Sequence, residues 1–108
     1  MAILVMPNQK KSEATFRDEV CSYLRSKKVW HFVYPANTTY GLPDIMALHK
    51  GHFIGIELKR PDGKGRPTQL QIETKRSIEA AGGFALITDN LEDIKHVIKV
   101  IETEHWPE

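Results

Sequence analysis

The sequence predicts a single α/β domain, in which a mixed sheet of about four strands is flanked by helices in the order αβββαβα. Three observations lead to this fold class. The chain has 108 residues, enough for one hydrophobic core but too few for separate catalytic and target-reading domains. Two apolar runs rich in β-formers flank a Lys50-Gly51 turn, which is the pattern of an antiparallel hairpin. Amphipathic helical patterns occur on both sides of this hairpin.

The first two elements are a helix and a strand. The helix runs from about Glu13 to Lys27, and Ser12 can cap it. Apolar residues at helical spacing form its inward stripe: Phe16, Val20 and Leu24. Val29 to Tyr34 is a strand of aromatic and branched residues, which Pro35 ends. The segment from Pro35 to Pro43 is polar and contains glycine and proline, so we expect a loop.

The hairpin strands are Ile45 to Leu48 and Phe53 to Leu58. With the turn centred on Lys50 and Gly51, Asp44 lies opposite Glu57, and opposed side chains share one face of the sheet. Lys59 returns to that face because side chains alternate along a strand. The other face carries residues that can be buried: Ile54, Ile56 and Leu58.

A helix, a strand and a last helix follow. Thr68 and Gln71 form a capping-box pattern for a helix that runs to about Ala81 and stops at Gly82-Gly83. Phe84 to Thr88 is a short strand, and because a crossover helix precedes it, we expect a parallel partner. Asn90 caps the final helix, whose buried stripe is Ile94, Val97, Ile98 and Ile101. We expect the acidic tail from Glu102 to Glu108 to fray.

The hairpin would bring two carboxylates and an ammonium group together. Opposed Cβ atoms lie about 5 Å apart, and like charges at that separation repel. A divalent cation between Asp44 and Glu57 would relieve the repulsion, and such oxygen ligands suit Mg²⁺. Asp44 could instead open a solvated turn after Pro43, and a register shift of one residue would move one carboxylate to the other face.

Composition limits the function classes. The chain is 41% apolar and 27% charged, as in an ordinary globular protein. The formal charge of +1 excludes a coat of positive charge, so nucleic acid would be held by local patches. The single cysteine, Cys21, excludes an internal disulfide and a thiolate zinc cluster, and we expect it to be buried. No apolar stretch predicts a transmembrane helix or a secretion signal, so we expect an intracellular protein.

Basic residues gather in two places, although part of each group can be an ordinary solvated face. One group follows the hairpin: Lys59, Arg60, Lys64 and Arg66. The other lies near the start of the chain: Lys10, Lys11, Arg17, Arg25, Lys27 and Lys28. Three histidines have no partner at a diagnostic spacing, and we expect polar strand or turn roles for His31, His49 and His52.

Several motifs together carry a resemblance to a known family. They are Gly41-Leu42-Pro43-Asp44, then Glu57-Leu58-Lys59, and then a glutamine-bearing helix that ends in Gly82-Gly83. The chain resembles the PD-(D/E)XK nuclease superfamily, which has the restriction-endonuclease-like fold. More narrowly, it is similar to the compact VRR-NUC domain in the stand-alone form that phages and prophages carry. The likeness covers nearly the whole chain, from Ser12 to about Ile101, within a single domain of residues 1–108.

The resemblance implies an enzyme that hydrolyses DNA phosphodiester bonds with Mg²⁺ or Mn²⁺. The implied metal ligands are the side chains of Asp44 and Glu57 and the carbonyl of Leu58. Lys59 would be the catalytic lysine. Glu13 matches the acid of the family's first helix, with Glu19 as an alternative. Gln71 matches the glutamine of the second helix, with Gln69 as an alternative, although capping alone is an adequate purpose for Gln71.

The resemblance further implies action on branched DNA, such as a four-way (Holliday) junction, by a symmetric homodimer whose two sites match two equivalent strands. We expect three basic residues to grip phosphates: Arg60, Lys64 and Arg66. Candidates for exposed apolar contacts are Trp30, Phe32, Tyr40 and Trp106, although core packing is the commoner fate of aromatic residues. The alternative function is a non-catalytic nucleic-acid-binding or assembly module, which would gain nothing from two opposed carboxylates near DNA.

Overall fold

The computed structural model describes residues 12–35, 41–61 and 65–104. Its elements are α1 (Glu13–Ser26), β1 (Trp30–Val33), β2 (Ile45–His49), β3 (His52–Leu58), α2 (Gln69–Ala80), β4 (Phe84–Thr88) and α3 (Leu91–Glu104). This order and the four-stranded mixed sheet confirm the predicted αβββαβα fold class. Among the described residues, every helix is too short or too polar to cross a bilayer.

The sheet has the order β1-β2-β3-β4. The pairs β1–β2 and β2–β3 are antiparallel, and β4 lies parallel to β3, as the crossover through α2 predicted. Lys50 (φ 49°) and Gly51 (φ 83°) both have positive φ, which is typical of the tight hairpin turns that match strand twist. The observed pairing of Ile45 with Ile56 confirms the predicted register.

One face of the sheet carries the hydrophobic core. Helices α1 and α3 pack against it, and Ser12 caps α1 by accepting a hydrogen bond from the Thr15 amide at 3.0 Å. The buried residues of the helices are those that the periodicity predicted: Phe16, Val20, Cys21 and Leu24 in α1, and Ile94, Val97, Ile98 and Ile101 in α3. Burial raises the pKa of the Cys21 thiol, which fits its predicted place in the core.

Helix α2 covers the β3–β4 half of the opposite face. A Cβ atom on Gly55 would lie 2.8 Å from Cγ of Pro43 and 3.0 Å from Cδ1 of Ile78, closer than real atoms pack. Glycine in β3 therefore lets both α2 and the chain before Asp44 approach the sheet closely. This contact places the start of β2 next to α2.

The C-terminal helix corrects one prediction. We expected fraying from Glu102, but α3 continues to Glu104. The carboxylate of Glu102 accepts a hydrogen bond from Nε2 of His49 at 3.1 Å and lies 3.6 Å from Nζ of Lys27, so the last turn is tied to β2 and α1. His52 lies 3.7 Å from Glu104. These contacts give the two histidines the structural roles that the sequence favoured.

Candidate metal and catalytic site

The site lies where the start of β2 meets the end of β3. The chain of Asp44 continues the β1–β2 ladder, because its carbonyl accepts a hydrogen bond from the Tyr34 amide at 2.7 Å. Its carboxylate Oδ2 accepts a hydrogen bond from the Leu58 amide at 2.7 Å. This second bond ties the side chain across the hairpin and fixes it beside Glu57, where the register predicted it.

Glu57 is a buried carboxylate, with 9% of its surface exposed. Burial, together with the charge of Asp44 and hydrogen bonding to it, raises the pKa of Glu57 to about 8, while the nearby Lys59 opposes this shift. In the ion-free protein Glu57 therefore holds a proton at neutral pH, and ionising it beside the Asp44 carboxylate costs free energy. A cation bound between them would remove that cost.

Gln71 links Lys59 to Glu57. Its Oε1 accepts a hydrogen bond from Nζ of Lys59 at 2.8 Å, and its Nε2 donates to Oε2 of Glu57 at 3.0 Å. Lys59 thus points to the Glu57 side of the sheet, as strand alternation predicted. Its backbone is fixed by a 2.8 Å hydrogen bond from its amide to the Thr88 carbonyl at the end of β4.

The position of Gln71 is set by the start of α2. Thr68 caps the helix by accepting from the Gln71 amide at 3.1 Å, and its own amide donates to Oε1 of Gln71 at 3.0 Å. The capping box is therefore complete, as predicted. The same side chain contacts Lys59 and Glu57, so capping and a place in the site are compatible.

The alternative glutamine lies elsewhere. Nε2 of Gln69 is 3.4 Å from Oε1 of Glu73 on the exposed side of α2. Gln71, and not Gln69, is the glutamine that the structure brings to the carboxylates.

Glu13 does not join the carboxylate pair. Its side chain is exposed at the first residue of α1, and the described residues contain no group of three metal-binding side chains that would include it. It begins α1, and the buried stripe starts only one turn later at Phe16. Its charge is the smallest of the influences that raise the pKa of Glu57. The alternative acid, Glu19, is half-buried in the middle of α1 and has a polar partner.

A cleft of about 140 Å³ opens above the carboxylates. Its lining residues are Tyr34, Pro35, Gly41, Leu42, Pro43, Asp44, Glu57 and Gln71. Gly41 has φ 72°, and a Cβ atom there would lie 2.8 Å from the Leu70 backbone, so glycine allows this loop to rest on the first turn of α2. Sequence reasoning missed Tyr34, although the β1–β2 register pairs it with Asp44.

The predicted phosphate-binding residues lie beside Lys59 along the chain. Arg66 is exposed and lines a second cleft of about 310 Å³ together with Lys59, Thr88, Asp89 and Asp93. Arg60 is exposed as well. Lys64 lies outside the described residues. Arg66 therefore lies beside Lys59, in a cleft separate from the 140 Å³ cleft above the carboxylates.

The donor atoms fit a hard divalent ion. Asp44 and Glu57 offer carboxylate oxygens, and the Leu58 carbonyl is a further oxygen. The described residues contain no group of three or more His, Cys, Asp or Glu side chains that could hold a metal. Mg²⁺ commonly uses only one or two protein carboxylates and completes its shell with water or phosphate oxygens. The donor set thus suits Mg²⁺ or Mn²⁺ better than zinc, which takes three or four protein ligands.

We expect the stability of the metal-free protein to fall as pH rises from about 4.5 to about 8, the ordinary and folded pKa values of Glu57. The folded state holds a proton that the unfolded chain has already released, so deprotonation favours unfolding in this window. Urea unfolding at several pH values measures the effect. Glu57→Gln should flatten this part of the profile, and an identical slope in that variant would contradict the assigned cause.

Comparison with known proteins adds no family assignment. The chain matches no protein-family model, and its search against curated proteins gives no match. The geometry and chemistry of the site therefore carry the functional conclusion.

Proposed function

We propose that this protein is a Mg²⁺- or Mn²⁺-dependent DNA endonuclease that acts on branched DNA. The observation that carries the proposal is the link through Gln71, which holds the buried Glu57 carboxylate and the Lys59 ammonium group on one side of the sheet. Asp44 lies opposite Glu57 and raises its pKa. Two oxygen ligands next to a fixed cationic donor are the groups that hydrolysis of a phosphodiester needs.

Each residue has a separate role. Asp44 and Glu57 would hold the ion, which supplies the Lewis acidity that activates water and compensates charge on the phosphate. Lys59 would orient the attacking water and donate hydrogen bonds to the oxygens on which negative charge develops. Gln71 is a positioning residue, because it binds Lys59 and Glu57 at once and is itself fixed by Thr68.

Substrate choice follows from the size and charge of the domain. A domain of 108 residues with a formal charge of +1 has local basic patches rather than a positive surface. Contacts to phosphates position a protein on DNA but carry no sequence information, so selection of a DNA shape is favoured over reading of a sequence. Arg60, Arg66 and Lys64 would supply these contacts. A symmetric dimer on a four-way junction stays a prediction from the resemblance.

The test of the proposal is cleavage of labelled DNA. Four-way junction, flap, duplex and single-stranded substrates are incubated with the protein in Mg²⁺, in Mn²⁺ or in EDTA, beside Asp44→Ala. We expect metal-dependent cuts near the branch point that Asp44→Ala does not make. Metal-independent cutting, or equal cutting by the variant, would overturn the assignment of Asp44.

Metal binding is tested separately by thermal unfolding. We expect Mn²⁺ to raise the Tm of the wild-type protein in proportion to the logarithm of its concentration above Kd, because a ligand stabilises only the state that binds it. Asp44→Ala should remove the shift. Asp89→Ala is the matched control, since Asp89 is exposed beside the second cleft and should leave the shift intact. DNA binding without a metal shift or cleavage would favour the non-catalytic module.

A further inference from the structure

Half of the sheet face that carries the candidate site is apolar and exposed. Helix α2 packs over β3 and β4 on this face, whereas none of the described helices packs over its β1–β2 half, where several large apolar side chains are exposed. The exposed fractions are 61% for Trp30, 42% for Phe32, 47% for Leu48 and 39% for Phe53. The register pairs Trp30 with Leu48 and Leu48 with Phe53, so these side chains form one contiguous patch.

The aromatic residues of this patch lead into the site. Trp30, Phe32 and Tyr34 alternate along β1 and its continuation, so they share one face, and consecutive members are about 6.8 Å apart along the strand. The rings of Trp30 and Phe32 contact each other edge to face, with centroids 5.7 Å apart. Tyr34 lines the cleft that contains Asp44 and Glu57. We call these three residues the aromatic stripe.

Charged groups of opposite sign lie at the two ends of the aromatic stripe. Lys28 and Lys50 are exposed at the end far from the site, two residues before Trp30 and two residues after Leu48. Neither lysine has an ion pair within the described part of the chain. The face therefore runs from cationic groups, over exposed aromatic rings, to carboxylates suited to a metal that binds phosphate.

We propose that the aromatic stripe binds unpaired bases of a DNA strand and leads that strand into the site. The inference rests on the proposed nuclease function and narrows its substrate to DNA with a single-stranded stretch beside the cut. Proteins that bind single strands combine basic groups along the backbone with aromatic side chains on which bases stack. Paired bases inside a duplex present no free face to a ring, so the stripe would select DNA in which the strand is already unpaired.

The direct test is fluorescence of Trp30. The chain has two tryptophans, so Trp106→Phe leaves Trp30 as the only one. The protein is titrated with a short oligothymidylate in EDTA, where cleavage plays no part, and with an abasic oligonucleotide of the same length. We expect the oligothymidylate to quench Trp30 and to bind at least about fivefold more tightly than the abasic strand, because only the former can stack.

Variants separate stacking from general apolar contact. Phe32→Ala in the Trp106→Phe background should weaken oligothymidylate binding by about tenfold, the loss of roughly one stacked base. Leu48→Ala is the matched control, since it removes an equally exposed apolar side chain that cannot stack as a ring does, and binding should stay within about twofold. Far-ultraviolet circular dichroism and Tm verify that both exposed-site variants are folded.

Three results would overturn the inference. The first is equal binding of the abasic strand, and the second is unchanged binding in Phe32→Ala. The third is a dimer, seen by analytical sedimentation at the titration concentration, that dissociates in Trp30→Ala. In that case a second copy of the chain, and not DNA, would cover the aromatic stripe. This test can be separated from the test of catalysis. Cleavage without quenching of Trp30 would reject base binding by the aromatic stripe but not the nuclease assignment. Quenching without cleavage in any metal would reject the nuclease assignment but not base binding.

Discussion

Glu57→Gln is expected to abolish DNA cleavage while leaving DNA affinity equal or higher. The substitution keeps the size of the side chain and can retain a hydrogen bond to Gln71, but it removes an anionic ligand. Loss of an outer partner of a metal ligand typically costs 10- to 100-fold in affinity or activity, so loss of the ligand itself should cost at least about 100-fold. In the metal-free protein Glu57 is largely neutral below its pKa of about 8, and above it the substitution removes a negative charge that would face the phosphates, so binding should not suffer at either pH.

Cleavage rates with the labelled branched substrate that the wild-type protein cuts, and binding of the same DNA by fluorescence anisotropy in EDTA, measure the two quantities. Glu92→Gln is the matched control, because it removes the same charge from an exposed position in the first turn of α3. It should cleave at the wild-type rate. If Glu57→Gln binds DNA more weakly and turns over normally, Glu57 is a contact for DNA and not a metal ligand.

The register of the hairpin is the part of the site that the sequence predicted most directly. A two-residue turn with Lys50 and Gly51 in positive φ allows few alternatives, and it fixes which residues face each other along the whole hairpin. The conformation of this turn therefore determines that Asp44 lies opposite Glu57. The long-range contact follows from counting residues, with no need for tertiary information.

Other parts of the site depend on tertiary packing, which cannot be inferred from a local sequence pattern. Glu13 has the spacing of an inward residue, but it begins its helix and is exposed there. The double role of Gln71 requires the distance between α2 and β3, which the close contact at Gly55 sets. The extra length of α3 depends on His49 and Lys27, which reach Glu102 from distant parts of the chain.

The exposure of the aromatic stripe is a further feature that the sequence alone could not predict. Trp30 and Phe32 are aromatic residues in a predicted strand, for which burial is the commoner outcome. Their exposure follows from the short reach of α2, which spans Gln69–Ala80 and packs over β3 and β4. Only the arrangement of the layers reveals that half of this sheet face is left open by the described residues.

Lys59→Ala is the second substitution for which we expect a large effect, and its signature should differ from that of Glu57→Gln. The ammonium group donates to Gln71 at 2.8 Å and lowers the pKa of Glu57, but it is no ligand. Loss of one positioned donor to a developing charge typically reduces kcat by about 10²- to 10³-fold. The Mn²⁺-dependent rise in Tm should therefore persist in Lys59→Ala, whereas cleavage should be lost.

The comparison of Lys59→Ala with two further variants separates charge from geometry. Lys99→Ala removes an exposed lysine from α3 and should cleave normally. Gln71→Ala keeps the ammonium group but frees it from its hydrogen bond, so a smaller loss of about 10-fold is expected, of the size seen when a supporting contact is removed. Single-turnover rates at saturating metal measure all three. A Lys59→Ala variant that cleaves at the wild-type rate would refute the assigned role, and one that loses the Mn²⁺ shift would instead make Lys59 part of what holds the metal ligands in place.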